Sequence, residues 1–339
     1  MLPMNLELSC RRWPATFLLA AAVCIAAIAP GCLQKPAPEP RQVSIAFQQW
    51  VGYGLFYLAQ DKGFCHQEGI ELLFVNEELD SAREEAFMEG MLDCEAATLD
   101  LLVSKAIHGT RVVMVMELDH SCGSDGIVAA ENIKILEDLA DKKVAMTRND
   151  VGEYFISYLM RQKGMSLTNF TIVPTMPDKA AMAFLESKAD ACATWEPYVS
   201  EALRRPGAHL LASTREHPDA IIDVMNVRKD LVDNEPELVK KIMRAWFKAL
   251  DYFKNNPEEA AAIIAPRFKI TARQYLEQVE GLKWTGRQEQ LSPESMHNQM
   301  RIFDCIARHK TERDSSAKKP EAARFLNRAL LETLDETGQ

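Results

Sequence analysis

The sequence predicts an α/β protein with two lobes and a helical C-terminal third. Its 339 residues suffice for about two domains of ordinary size. From Gln42 to about Val227, short apolar runs alternate with amphipathic stretches, which is the pattern of helices packed on mainly parallel sheets. After Val227, apolar residues recur every three or four positions, as they do on one face of a helix.

The first 32 residues have the features of an export signal. A basic start precedes an apolar run over about 15–29, which is shorter than the roughly 20 residues that a membrane span needs. The run ends at Cys32 within Ala-Pro-Gly-Cys, which resembles a bacterial lipobox, and residues 33–41 form a proline-rich linker. We expect a signal peptide over 1–32, a lipid on Cys32 and an exported protein anchored to the outer face of a membrane. A plain secretory signal or an uncleaved anchor is the alternative.

Ten candidate strands follow the linker, each a short apolar run between polar or turn residues. They are expected at 43–47, 70–75, 95–98, 112–116, 126–130, 143–146, 170–173, 191–194, 210–212 and 221–227.

Helices are expected between most of these strands and throughout the last third. The S-x-x-E form of Ser81 to Glu84 is a capping box, so a helix should begin at Ser81 and stop at Gly90. Apolar residues at helical spacing predict a long helix through 239–253. Further helical segments are expected near 257–265, 271–280, 292–308 and 320–335.

Composition and motifs exclude several classes of function. Hydrophobic residues are 47% and charged residues 26% of the chain, which excludes collagen, coiled coils and disordered chains. The formal net charge of −10 argues against nucleic acid as a partner. The sequence contains no motif of the hydrolases, P-loop enzymes, zincins or dinucleotide-binding folds. We therefore expect no enzymatic activity and no cofactor.

The cysteines do not predict a metal site. Five remain after Cys32, and no two of them have the spacing of zinc ligands: Cys65, Cys94, Cys122, Cys192 and Cys305. Cys94 and Cys192 lie in apolar, strand-like contexts, so buried free thiols are expected there rather than a bridge.

An internal similarity indicates where a ligand would bind. Residues 86–94 resemble 183–191, and each copy precedes a buried strand with a polar tip, although chance similarity between two such units is an alternative. In open α/β sheets, ligands bind beyond the carboxyl ends of strands. Fourteen residues near such ends are our candidate ligand-binding residues: Gln48, Gln49, Trp50, Tyr53, Thr98, Asp100, Ser121, Ser124, Asp125, Asn149, Asp150, Glu153, Trp195 and Glu196.

The residue types at these positions suit a small polar ligand. Aromatic rings can sandwich a ligand that amides orient, and small residues near 119–126 suit a hinge. Two positions have structural alternatives. Trp50 could simply cap the sheet, and Glu196 could be a carboxylate that stabilises the start of a helix.

The stretch from Trp50 to Ala59, followed by Gly63, resembles the opening of the periplasmic solute-binding proteins for nitrate, taurine, aliphatic sulfonates and thiamine-pyrimidine precursors. Further matches lie at 124–128, 136–145, 189–190 and 195–197, so the resemblance covers about 42–265. It implies a type II periplasmic-binding-protein fold, a ligand cleft between two lobes, a monomer and delivery to an ABC permease. We expect lobe 1 from 42–124 and 221–339, lobe 2 from 125–220, and hinges near 119–126 and 213–220.

Acidic residues outnumber basic ones in the expected cleft. Arg148 is the one evident base, whereas the acids are Asp100, Asp119, Asp125, Asp150, Glu153 and Glu196. A helix start near 149–153 would favour an anion, but two like charges about 4 Å apart cost roughly 4 kcal/mol. A zwitterion such as taurine, or a stacked nitrogen heterocycle, therefore fits better than nitrate. A lipid-tethered sensor and a pyrimidine-precursor enzyme of the same fold are the alternative functions.

Overall fold

Two β-sheets form the framework of the protein. The computed structural model describes residues 39–76, 80–313 and 318–334, so the expected signal peptide and Cys32 lie outside the described residues. Sheet A has six strands in the order β11-β4-β10-β3-β1-β2, and sheet B has five in the order β7-β6-β8-β5-β9. The strands of sheet A are β1 (Arg41–Phe47), β2 (Ile70–Asn76), β3 (Cys94–Thr98), β4 (Val112–Ser121), β10 (Ile222–Arg228) and β11 (Leu282–Trp284). Those of sheet B are β5 (Asp125–Ala129), β6 (Lys143–Met146), β7 (Thr171–Pro174), β8 (Ala191–Trp195) and β9 (His209–Ser213).

All ten predicted strands are confirmed, within a few residues at each end. The prediction of mainly parallel sheets is wrong. The β1–β2, β1–β3, β6–β7 and β6–β8 pairs are parallel, but β10 runs antiparallel to both of its neighbours and β5 does likewise. The physical reason is that β5 and β10 each begin where the chain has just crossed from one sheet to the other, and such a strand enters its sheet from the opposite end.

Helices cover the sheets and fill the C-terminal third. They are α1 (Gly54–Asp61), α2 (Phe64–Gln67), α3 (Asp80–Met88), α4 (Leu99–His108), α5 (Val151–Gln162), α6 (Pro177–Leu185), α7 (Tyr198–Ala202), α8 (Lys229–Asn234), α9 (Pro236–Asn255), α10 (Pro257–Ile264), α11 (Ala272–Val279), α12 (Arg287–Gln290), α13 (Pro293–Arg313) and α14 (Ala329–Glu332). Within the described ranges, no helix combines the length and the apolar character that a membrane crossing needs.

Sequence pattern explains the packing of the longest helices. Helix α9 buries one apolar face, and Trp246 on it meets the ring of Phe56 with centroids 4.4 Å apart. Helix α13 packs the buried residues Ile302, Phe303 and Ile306 in the same apolar cluster as residues of α4. These contacts attach the C-terminal helices to sheet A, because a sheet with apolar residues on both faces needs cover on both.

A buried ion triad joins β3 of sheet A to the helices α3 and α4. The Glu95 carboxylate is 3.5 Å from Nε of Arg83 and 3.3 Å from Nζ of Lys105, and all three side chains are fully buried. Asn226 on β10 adds a hydrogen bond to Glu95 at 3.1 Å. Buried charges are tolerated only when they are paired in this way.

Candidate ligand-binding site

Strand ends of the two sheets meet at one interface. The indole Nε1 of Trp195, at the end of β8, donates to the carbonyl oxygen of Gln49, just after β1, at 3.0 Å. The carboxyl group of Asp125, at the start of β5, interacts electrostatically with Asp100 at the start of α4 and with Asp150 just before α5. We call the part of the chain around sheet A lobe 1 and the part around sheet B lobe 2, and the exact boundaries of the lobes stay a prediction. Candidate residues from both lobes therefore face one another.

An acid pair lies on the lobe 1 side. Asp119 on β4 and Asp223 on β10 are direct register partners, and both are buried. Trp50 Nε1 donates to both carboxylate oxygens of Asp119, at 3.3 and 3.4 Å, and the Tyr53 hydroxyl donates to Asp223. Burial raises the pKa of Asp119 to about 7, and burial together with the nearby Asp119 raises the pKa of Asp223 well above its usual range. At neutral pH the two carboxyl groups therefore hold a proton between them.

Asp125 brings a third buried carboxyl group to the interface. Asp125 is only 4% exposed, and its Oδ2 has no hydrogen-bond partner among the described residues. Burial raises its pKa well above the usual range, and repulsion from Asp223, Asp100 and Asp150 adds to this rise. Its backbone N–H donates to the hydroxyl of Ser121 at 3.2 Å, which fixes the start of β5. An acceptor oxygen is thus available where the lobes meet.

Three further buried oxygens, all at strand ends, also lack a hydrogen-bond partner among the described residues. Within the described chain, no hydrogen bond reaches Oε1 of Gln48 after β1, Oγ1 of Thr147 after β6 or Oγ1 of Thr194 on β8. Gln48 and Thr194 are 3% and 2% exposed. Because buried polar atoms are nearly always partnered, a ligand or an ordered water is the natural partner for such oxygens at strand ends.

Asp100 differs from the other acids because both of its oxygens are engaged. The hydroxyl of Thr98 donates to Oδ1 at 2.7 Å, and Nζ of Lys310 donates to Oδ2 at 3.1 Å. Thr98 is also the register partner of Asp223, so it lies level with the acid pair in sheet A.

The start of α5 is capped by its own side chains. Asp150 accepts a hydrogen bond from the N–H of Val151 at 2.7 Å. Glu153 accepts from the N–H of Asn149 at 3.2 Å and pairs with Nε of Arg148 at 3.1 Å. Asn149 is exposed in a left-handed conformation with φ 57°. The sequence predicted that the start of α5 would favour an anion. Carboxylates of the protein itself already lie at this helix start, so it suits a bare anionic ligand less well than predicted.

Glu196 has the contacts of a helix-start carboxylate. Its oxygens accept from the N–H of Ser200 at 3.1 Å and from the hydroxyl of Ser200 at 2.9 Å. Burial raises its pKa. This is the structural alternative that the sequence left open, and a ligand contact by Glu196 stays a prediction.

Two candidate serines form hydrogen bonds in the segments where the chain crosses between the lobes. The hydroxyl of Ser121 is 2.7 Å from that of Thr214, which joins the outgoing and returning segments. The hydroxyl of Ser124 donates to the carbonyl of Gln278 at 3.0 Å, and its own carbonyl accepts from the N–H of Glu196 at 2.9 Å. Both are buried, so positioning the hinge is what their contacts support.

Sequence reasoning missed several residues of the interface. An acid inside the apolar run 221–227 was a visible signal for Asp223, since charged residues are rarely buried without a function or a partner. Thr147 and Thr194 could have been found as polar residues that end predicted strands. Lys310 carried no local signal, because its partner Asp100 is distant in sequence.

The described residues contain no group of three or more histidine, cysteine, aspartate or glutamate side chains arranged to hold a metal ion. The five cysteines after the linker are all free, and Cys94 and Cys192 are buried as the sequence predicted. Burial raises the pKa of the Cys192 thiol to about 12, which makes it a poor nucleophile.

The family model described as NMT1/THI5 like matches residues 51–260, which is more than half of the chain. The protein belongs to this family. A binding protein of Brucella abortus (strain 2308) is 24% identical over 237 residues, covering 68% of this chain and 72% of that protein. A Bacillus subtilis (strain 168) protein named for binding aliphatic sulfonates is 24% identical over 227 residues, covering 65% of this chain and 68% of its own.

Among solved structures, the alkanesulfonate-binding protein SsuA of Xanthomonas axonopodis pv. citri, bound to MOPS, is similar. It superposes with a TM-score of 0.72 at 17% identity and covers 86% of this chain and 100% of its own. This likeness confirms the periplasmic-binding-protein fold that the sequence predicted, although both sheets are mixed rather than mainly parallel.

Proposed function

We propose that this protein is an extracytoplasmic solute-binding protein that closes its two lobes around a small solute and delivers it to an ABC permease. The names of its relatives support binding rather than catalysis. The Trp195 to Gln49 hydrogen bond joins the lobes in the arrangement described here, as expected for a closed form. In a protein of this kind, affinity reflects tighter binding to the closed than to the open form.

The observation that carries the choice of ligand is the unpartnered Oδ2 of Asp125 at the lobe interface. The ligand should therefore present N–H donors, and a protonated amine would also neutralise a carboxyl group. A zwitterion such as taurine satisfies this requirement, whereas nitrate offers acceptors only.

Calorimetric titration with matched ligands tests the proposal. Taurine and ethanesulfonate differ only by the amino group, so we expect taurine to bind at least 10-fold more tightly. Asp125→Asn should reduce that ratio, whereas Asp251→Asn, which changes an exposed carboxylate on α9, should leave it unchanged. Equal affinity for the two sulfonates, or tight binding of nitrate that Asp125→Asn does not alter, would refute the amine requirement.

The lipid anchor is a separate part of the proposal. We expect cells grown with a labelled fatty acid to transfer the label to the protein, and Cys32→Ser to abolish the transfer and release the protein from the membrane. Cys305→Ser is the matched control, because it removes an exposed cysteine elsewhere in the chain. Absence of label from the wild-type protein would favour a plain secretory signal, and unchanged labelling of Cys32→Ser would show that Cys32 does not carry the lipid.

A sensor that passes occupancy to a membrane receptor remains the second candidate, since it would use the same binding lobes. Genes for a permease and an ATPase beside this gene would support import, and a kinase gene there would support the sensor. The same-fold enzyme has less support, because the relatives above are named as binding proteins.

A further inference from the structure

Lys310 lies where the long helix α13 meets the candidate site. It belongs to α13, whose apolar face packs beside α4. Its ammonium group is 3.1 Å from Oδ2 of Asp100, in the first turn of α4. The Asp100 side chain is 1% exposed and the Lys310 side chain 20% exposed, so the ammonium group lies at the inner end of a mostly covered side chain.

The same ammonium group also faces lobe 2. It is 5.9 Å from the ring centroid of Tyr154, in the first turn of α5. The adjacent residue His309 contacts the same helix, with Nε2 3.0 Å from the hydroxyl of Ser157 and Nδ1 accepting from Arg161 at 2.9 Å. Helix α13 therefore holds Lys310 between the helix starts of the two lobes, beside the strand ends that carry the candidate residues.

Lys310 has donor capacity to spare. An ammonium group carries three N–H donors, and in the described part of the chain Asp100 is its one hydrogen-bond partner. Asp100 in turn has both oxygens engaged, by Thr98 and Lys310, so it is a neutralised acid. Asp125, which interacts electrostatically with Asp100, keeps an unpartnered oxygen. The site thus offers a cationic donor on Lys310 and an unpartnered acceptor oxygen on Asp125, each of which interacts with Asp100.

We infer that Lys310 is a specificity-determining residue, whose ammonium group binds the anionic end of the solute while Asp125 accepts from its amine end. This inference rests on the proposed function and deepens it, because it names the substrate class as small zwitterions with an anionic group and an amine. It also gives α13 a function in recognition, since closure brings Tyr154 of lobe 2 towards a cation that α13 supplies from lobe 1.

The test is calorimetric titration of the purified protein with taurine and with ethylamine, which lacks the sulfonate. In wild type, taurine should bind at least 10-fold more tightly than ethylamine. Lys310→Met should weaken taurine at least 10-fold and leave ethylamine unchanged or tighter, and Lys310→Arg should recover part of the taurine affinity. The matched control is Lys319→Met, which removes a lysine that pairs with Asp304 of α13 at 3.0 Å.

Lys310→Met leaves the buried Asp100 without its cation and could unfold the protein. The double variant Asp100→Asn with Lys310→Met removes both charges, so it should fold and still lose the preference for taurine. An unchanged taurine-to-ethylamine ratio in a folded variant, or an equal loss of both ligands, overturns the assignment of Lys310 alone. Failure of wild type to bind either amine overturns the proposed ligand class itself.

Discussion

Replacing Asp119 by asparagine should change how the stability of the protein depends on pH. In wild type, burial raises the pKa of Asp119 from 3.8 to about 7. The native state therefore holds a proton that the unfolded state releases between pH 4 and 7, so the free energy of unfolding falls over this range. At 1.36 kcal/mol per pKa unit, the fall caused by this group reaches about 4 kcal/mol above pH 7.

Asparagine is nearly isosteric and cannot ionise, and its amide oxygen can still accept from Trp50. We expect Asp119→Asn and wild type to unfold with similar free energies at pH 4, and the variant to be more stable by roughly 2–4 kcal/mol at pH 8. Urea titrations of the ligand-free protein at several pH values, followed by tryptophan fluorescence, measure the difference. Asp251→Asn on the surface is the control: its free energy of unfolding should differ from that of wild type by the same amount at every pH. Parallel stability curves for wild type and Asp119→Asn would refute the reasoning.

Three other substitutions test the packing of the site. Trp195→Phe removes the indole N–H that donates to the Gln49 carbonyl oxygen at 3.0 Å between the lobes. Ligand affinity should therefore fall about 5-fold, mainly because the ligand dissociates faster, which stopped-flow measurements would show. An unchanged dissociation rate would contradict this. Gly52→Ala places a Cβ 2.3 Å from Oδ2 of Asp119, so the free energy of unfolding, measured by thermal unfolding, should fall by about 2 kcal/mol or more. An unchanged free energy of unfolding would mean that Asp119 can shift to make room. Glu95→Gln removes the buried carboxylate that pairs with Arg83 and Lys105, and urea titration should show a loss of about 3–5 kcal/mol. A loss below 1 kcal/mol would contradict this.

Local pattern predicted most of the secondary structure. The helical segment expected near 320–335 is wrong in extent, because in that region the chain forms only a short 3-10 turn and the four-residue α14. Strands such as β3 and β8 are continuous buried runs, and α9 has an unmistakable apolar face, so period and composition located them. The three-residue β11 was missed because so short a strand exists only through its pairing with β4. Strand direction was also missed, because it depends on where the chain crosses between sheets and no local pattern records that.

The site was predicted only in part, because some of its residues are marked by local pattern and others are brought there by the tertiary fold. Trp50 follows the first predicted strand, so the rule for α/β sheets pointed to it, whereas Asp125 was a candidate because its segment was expected to cross between the lobes. Whether Trp50 contacts a ligand or only supports Asp119 could not be read from residue types, since the same indole serves either purpose. Lys310 and Asp223 reach the site from segments far along the chain, and only the tertiary fold brings such residues together.

The position of β10 constrains how the protein can be made. This strand lies between β3 and β4 in sheet A, yet it is synthesised only after all of sheet B. Until residue 228 has left the ribosome, β3 and β4 therefore have no common neighbour and each presents an unpaired edge, a feature that promotes aggregation. Sheet B, by contrast, is continuous in the chain and can pair as soon as it emerges. The nascent chain should consequently acquire its second sheet before its first, and fragments that end before residue 222 should depend on chaperones to stay soluble.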